Sequence, residues 1–234
     1  MENEKKAKEK TTAELAAYID HSVLKPDFTE TEIRKYIKEG IDFGCKTVCV
    51  NPSSLPIIRE LCKDTKTGIC AVCDFPFGLS STMSKIKQIE DICRQRDIED
   101  LDIVANYGWI KSGLWKETKE QFKAVTDACH QYGSIIKIIF ETDALTLDEV
   151  LKATEIACSV GVDFVKTSTG FYTGDSNNGA TVEVIKVMLD NAKGNTKVKA
   201  SGGIRDRDKF FNFIDMGVKR IGIGCKSTPV VLGL

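Results

Sequence analysis

DFVKTSTGFYTGDSNNGATVEVIKVMLDNAKGNTKVKASGG, residues 163–203, contains one structural theme and the start of its repetition. Asp163–Thr167 is a short run of apolar and β-branched residues that breaks into Ser168-Thr169-Gly170, a turn composition. Thr181–Ala192 then sets apolar side chains at helical spacing, and Gly194 follows as a left-handed stop. Lys197–Ala200 begins the next strand and breaks into Ser201-Gly202-Gly203. Strand, helix and strand in that order make a βαβ unit, which demands parallel strands.

The theme extends in both directions. Strands are predicted at Ile19–Leu24, Lys46–Val50, Gly68–Cys73, Asp100–Ala105, Ser134–Phe140, Asp163–Thr167, Lys197–Ala200 and Arg220–Gly224. Helices are predicted at Met83–Arg96, Glu117–Gln131, Leu147–Val160, Thr181–Ala192 and Asp208–Met216. Thr29, followed by Glu30 and Glu32, opens another, because a cap hydroxyl and an acidic first turn suit a helix start. Gly161, Gly194 and Gly217 are expected to close three helices. No linker divides the chain. Eight strands in 234 residues favour an α/β fold of the (β/α)8 TIM-barrel type, one domain over residues 11–234. An open doubly wound sheet is the structural alternative. Residues 1–10, rich in Glu and Lys, read as a solvated, flexible tail.

Composition excludes several function classes. A net charge of −1 gives no electrostatic case for nucleic acid or an anionic membrane surface. No apolar run is long enough to span a bilayer, and the first ten residues contain no apolar stretch of the kind a secretory signal needs. The 9 Cys are odd in number and lack a framework, so reduced, mostly buried thiols and a cytoplasmic location are expected. Cys70-Ala-Val-Cys73 has the spacing of a redox or zinc knuckle. It lies in a strand, where positions three apart face opposite ways, and is discounted.

Three strands carry a lysine between apolar neighbours: Lys137, Lys166 and Lys199. A fourth carries Asp102 in the same setting. Central parallel strands are buried on both faces, and lysine is seldom buried without a partner. A shared polar cluster inside the barrel is the functional reading; a structural ion-pair network is the bland one. A buried lysine beside another cation loses affinity for its proton, and the neutral amine is a nucleophile towards carbonyls. The resulting iminium ion accepts the electrons of a breaking C–C bond, so no metal is needed. A second lysine and a carboxylate can move protons. A metal route would need more ligands than His21 and His130 provide. His130 is expected on an exposed helix face, and His21 as a hydrogen-bonded structural residue. The turns after strands six and seven carry Thr169-Gly170 and Gly202-Gly203, and Gly222-Ile-Gly224 ends strand eight; exposed N–H groups there suit a phosphate.

With these residues in place the sequence resembles the deoxyribose-phosphate aldolase family. The matching strings are Ile19-Asp-His-Ser-Val-Leu-Lys-Pro26, Thr47-Val-Cys-Val-Asn-Pro52, Phe75-Pro-Phe-Gly78, Asp102-Ile-Val, Lys111-Ser-Gly113, Phe164-Val-Lys-Thr-Ser-Thr-Gly-Phe171, Gly179-Ala-Thr-Val-Glu183, Val198-Lys-Ala-Ser-Gly-Gly-Ile-Arg205 and Arg220-Ile-Gly222. The resemblance implies a class I lyase that reversibly cleaves 2-deoxy-D-ribose 5-phosphate to D-glyceraldehyde 3-phosphate and acetaldehyde. It puts Lys166 at the Schiff-base lysine and Lys199 at the second lysine, which tunes the first and passes protons. Asp102 falls at the acid of the proton relay, Lys137 at a further active-site lysine, and Cys49 at a strand cysteine near the pocket without a catalytic role. It also implies a small phosphorylated sugar or aldehyde as the only partner, apart from a second copy in a homodimer.

The chain departs from the family pattern in places. Gly224 and Cys225 stand where two serines usually help hold the phosphate. Tyr172–Asn178 lengthens the segment after strand six, and Asp175 is expected to bring a negative charge towards that phosphate. Asp74 replaces a usual glycine, and Asn106-Tyr-Gly-Trp109 a more aliphatic stretch. Two alternatives therefore stay open: a Schiff-base aldolase with altered aldehyde or phosphate preference, and a barrel that binds sugar phosphates without catalysis.

Overall fold

The structure, a computed structural model, describes residues 6–175 and 177–234. Eight strands close into a parallel barrel in sequence order. They are β1 (Ile19–Val23), β2 (Thr47–Val50), β3 (Gly68–Cys73), β4 (Asp100–Val104), β5 (Ile135–Ile139), β6 (Phe164–Lys166), β7 (Lys197–Ser201) and β8 (Arg220–Gly224). The helices are α1 (Thr12–Ala16), α2 (Glu30–Asp42), α3 (Leu55–Cys62), α4 (Thr82–Cys93), α5 (Tyr107–Lys111), α6 (Trp115–His130), α7 (Leu147–Ser159), α8 (Val182–Asn191), α9 (Arg207–Met216) and α10 (Thr228–Leu232). The closed barrel expected from the sequence is present, and β1 pairs with β8 rather than leaving two edges.

Local chemistry fixes the element ends. Thr29 caps α2 by accepting the Glu32 N–H at 3.3 Å, while the Glu32 carboxylate accepts the Thr29 N–H at 2.8 Å. Thr146 and Glu149 repeat the device on α7. Gly217 closes α9 with φ 105°. Gly194 does not close α8, which ends at Asn191; it forms the turn beyond, with φ 64°.

Every strand alternates between two buried environments. Outward residues such as Ile19, Val48, Leu101 and Ile138 pack under the helices in one large apolar shell. Inward residues fill the barrel, and many of them are charged. Cys70 and Cys73 obey the same alternation: Cys70 lies inside with Cys49 and Val72, and Cys73 in the outer shell. All nine cysteines are free, and all but Cys158 are buried.

The expected tail is shorter than residues 1–10. Ala7–Glu9 form a 3-10 turn, and Ala7 is buried with its N–H on the Asp215 carboxylate of α9 at 2.7 Å. Residues 1–5 lie outside the described residues. Among the described residues, no helix is long and apolar enough to cross a membrane.

Candidate active site

Parallel register brings the charged strand residues to adjacent heights. Asp102 pairs with Lys137 across β4 and β5, Lys166 with Lys199 across β6 and β7, and Lys199 with Arg220 across β7 and β8. Alternation then turns all of them inward.

Asp102 is the hub. Its Oδ2 accepts Lys166 Nζ at 2.7 Å and Lys199 Nζ at 2.6 Å, and its Oδ1 accepts Lys137 Nζ at 3.1 Å. Lys199 also binds Asp20 Oδ2 at 2.5 Å. Lys137 reaches Asp100 Oδ2 at 2.6 Å and Asp20 Oδ2 at 3.3 Å. Arg220 closes the floor with 2.6 Å bonds to both Asp20 and Asp100. Three carboxylates thus face three lysines and one arginine.

Burial and pairing compete here. Burial alone would raise the Asp102 carboxyl, but the ammonium groups of Lys137, Lys166 and Lys199 outweigh it and hold it well below the usual carboxylate range. Asp20 follows the same rule, with Lys137, Lys199 and Arg220 overcoming burial. Burial works against the Lys199 ammonium, yet Asp102 and Asp20 prevail and raise it above its ordinary value.

A cleft of about 350 Å³ opens at the carboxyl end of the barrel. Of the three interior lysines only Lys166 lines it; Lys137 and Lys199 are fully buried below. Thr169, Gly170, Gly202, Gly203, Gly222, Gly224 and Cys225 also line it, so seven sequence-derived binding positions converge. Lys137 and Cys49 do not reach it. Lys137 belongs to the ion network, and Cys49 sits beside Cys70 in an apolar group with Leu24 and Val72. Gly222 has a steric reason: a Cβ there would come within 3.3 Å of Lys199 Cε and 3.0 Å of Ser201 Cβ. Gly202 and Gly203 adopt φ 86° and 67°, and among the described residues their N–H groups have no acceptor.

Several sequence expectations change. Thr169 lines the cleft, but its hydroxyl is committed to Glu141. Asp175 is exposed and stays out of the cleft; the segment after β6 is instead tied to Asp143, which accepts the N–H of Asn178 at 2.8 Å and of Gly179 at 2.9 Å. Ser227 also lines the cleft, beside Gly224 and Cys225, with Lys25, Arg205 and Lys226 on the same walls. Asp74, at φ 51°, accepts the Ser80 N–H and lies 3.3 Å from the buried Lys85 ammonium. Sequence reasoning passed over Asp20, Asp100, Arg220 and Glu141.

Cys49, Cys70 and Asp102 are the one set of metal-type donors within 4.8 Å of one another among the described residues. Three ammonium groups already occupy Asp102, and burial pushes the Cys70 thiol well up. That donor set suits an ion network rather than a cation. His21 binds Thr228 Oγ1 at 2.8 Å, and His130 binds Asp163 at 2.8 Å on the surface; neither faces the cleft.

Fold and site together define an aldolase, a carbon–carbon lyase, on a (β/α)8 barrel. The chain belongs to the DeoC/LacD family of aldolases, whose profile matches residues 15–227. It is 40% identical over 205 residues to deoxyribose-phosphate aldolase 1 of Staphylococcus aureus strain MRSA252, covering 88% of this chain and 90% of that protein. Deoxyribose-phosphate aldolase 2 of strain MSSA476 is 39% identical over 207 residues, covering 88% and 91%. Among solved structures, QR15, described as an aldolase, superposes with TM-score 0.84 at 35% identity, over 94% of each chain. The deoxyribose phosphate aldolase of Aeropyrum pernix, described as tetrameric, also gives TM-score 0.84 at 25% identity, over 95% of this chain and 91% of that one.

Proposed function

We propose that this enzyme reversibly cleaves 2-deoxy-D-ribose 5-phosphate to D-glyceraldehyde 3-phosphate and acetaldehyde through a Schiff base on Lys166, without a metal or organic cofactor. One observation carries the reading: Lys166 alone among the interior lysines opens to the cleft while its Nζ stays bonded to Asp102.

The Lys166 amine adds to the C1 aldehyde of the open-chain sugar, and loss of water gives an iminium ion. Removal of the C3 hydroxyl proton then breaks the C2–C3 bond, whose electrons flow into the iminium to give an enamine. Protonation at C2 and hydrolysis release acetaldehyde and restore the amine. Asp102 bridges Lys166 and Lys199, so protons have a path of single hydrogen bonds between the two amines. At the far end, the Gly202 and Gly203 N–H groups, Ser227 and the cations Arg205 and Lys226 would receive the phosphate. Homodimerisation belongs to the same reading, supported by Phe77, Leu79 and Met83, which stand more than half exposed between the end of β3 and the first turn of α4.

Borohydride reduction in the presence of acetaldehyde, followed by peptide mapping, tests the proposal. A reduced adduct on Lys166 is expected; a well-folded protein with no adduct would overturn it. Gly224 and Cys225 motivate a second reading, an aldolase for unphosphorylated aldehydes. A strong preference for deoxyribose 5-phosphate over deoxyribose would eliminate that one.

A further inference from the structure

Glu141 lies two residues beyond the end of β5 and occupies an unusual position. Its φ of 58° lies in the left-handed region, and the residue is 1% exposed. Its carboxylate accepts the Thr169 N–H at 3.1 Å and, on the other oxygen, the Thr169 hydroxyl. Thr169 Oγ1 in turn accepts the Phe171 N–H at 2.9 Å. The next two residues extend the brace. Thr142 N–H donates to the Thr167 carbonyl at 3.0 Å, and Asp143 holds Asn178 and Gly179. Three consecutive residues therefore grip both ends of the segment that forms one wall of the cleft, with Lys166 at its foot.

The chemistry of the grip is specific. A carboxylate only accepts hydrogen bonds, and Thr169 presents two donors to it. Burial raises the Glu141 carboxyl above its usual range, while the Thr169 donors and the Lys166 ammonium act the other way and Asp143 reinforces burial. Because the Thr169 hydroxyl is donated inward, the parts of this wall left for a substrate are the Gly170 backbone and the Phe171 ring, which packs on Phe75 with centroids 5.4 Å apart.

We infer that Glu141 is a positioning residue for substrate: it sets the Thr169–Phe171 wall at the height where the bound sugar, held on Lys166, meets it. The inference rests on the Schiff-base reading above. A wall that touches substrate and transition state alike governs KM and leaves the Lys166–Asp102–Lys199 chemistry, and hence kcat, in place.

Steady-state kinetics with deoxyribose 5-phosphate test this on Glu141→Gln, Thr169→Val, Thr169→Ser and the Glu141→Gln/Thr169→Val double variant, with borohydride trapping of the unaltered enzyme in parallel. Glu141→Gln and Thr169→Val should each raise KM about tenfold or more with kcat held within about threefold, and the double variant should be no worse than either single one. Thr169→Ser should recover most of the KM lost in Thr169→Val. Unchanged KM in Glu141→Gln, or a fall in kcat at constant KM, overturns the inference while an adduct on Lys166 leaves the Schiff-base reading standing. Absence of any adduct in the unaltered enzyme brings down both. Should Glu141→Gln fail to fold, the Thr169→Val and Thr169→Ser pair decides alone: an unchanged KM in Thr169→Val overturns the inference.

Discussion

Asp102 shares one carboxylate among three ammonium groups, all within 3.1 Å. No other acid in the barrel touches Lys166 among the described residues. Asp102→Leu would leave three buried cations short of a partner, and removing one side of a buried ion network typically costs about 3–5 kcal/mol. Urea unfolding should show that loss, with turnover falling in the same variant because the path between Lys166 and Lys199 is cut. Retention of wild-type stability would mean that Asp20 and Asp100 suffice to hold the lysines. At this scale the sequence is legible where a residue is out of place. Lys137, Lys166, Lys199 and Asp102 stand between apolar neighbours in strands that must be buried, so each is conspicuous. Asp20, Asp100 and Arg220 begin strands or adjoin polar residues, where a charge is ordinary. Their partners are also remote: Arg220 and Asp20 are 200 positions apart. Glu141 hides for a similar reason, since Glu141-Thr-Asp143 reads as a solvated turn.

The strand and helix pattern follows from periodicity, and Gly68–Cys73 and Arg220–Gly224 match it residue for residue. Periodicity does not reveal how the connecting segments pack on one another. The segment between β6 and α8 crosses the turn after β7 at two glycines. Gly179 adopts φ 64°, and a Cβ there would lie 2.3 Å from the Gly202 backbone. Gly179→Ala must therefore separate two backbones as well as strain its own. A loss of about 2 kcal/mol in urea unfolding is expected, with a rise in KM for the phosphorylated substrate, because Gly202 belongs to the cleft. An alanine variant with unchanged KM would show that this crossing does not shape the cleft. The same limit explains Asp175: its place in the sequence suggests proximity to the phosphate end, but the Asp143 anchor carries the segment elsewhere.

Across the whole molecule, β1 meets β8, and side chains from both ends of the chain bind there. His21 of β1 is fully buried against Thr228 of α10. Burial pushes its imidazole down to about 4 from an ordinary value of 6.5. Between those two values the unfolded chain holds a proton at this site that the folded chain does not, so stability rises with pH through that window and is lost as pH falls. The shift corresponds to roughly 3 kcal/mol. Urea unfolding at pH 7 and pH 4.5 should show the decline, and His21→Gln should shrink it; equal slopes in both proteins would refute the assignment. The depressed Asp20 and Asp102 carboxyls add losses of the same sign at still lower pH. The ion network spans this same junction, since Asp20 comes from β1 while Lys199 and Arg220 come from β7 and β8. Asp20 leaves the ribosome 200 residues ahead of Arg220. Until the final strand docks, Lys199 lacks one of its two carboxylates, and the ion network is incomplete however well the middle of the chain has folded. Recovery of turnover during refolding would therefore time the last act of assembly, when the sheet becomes a ring.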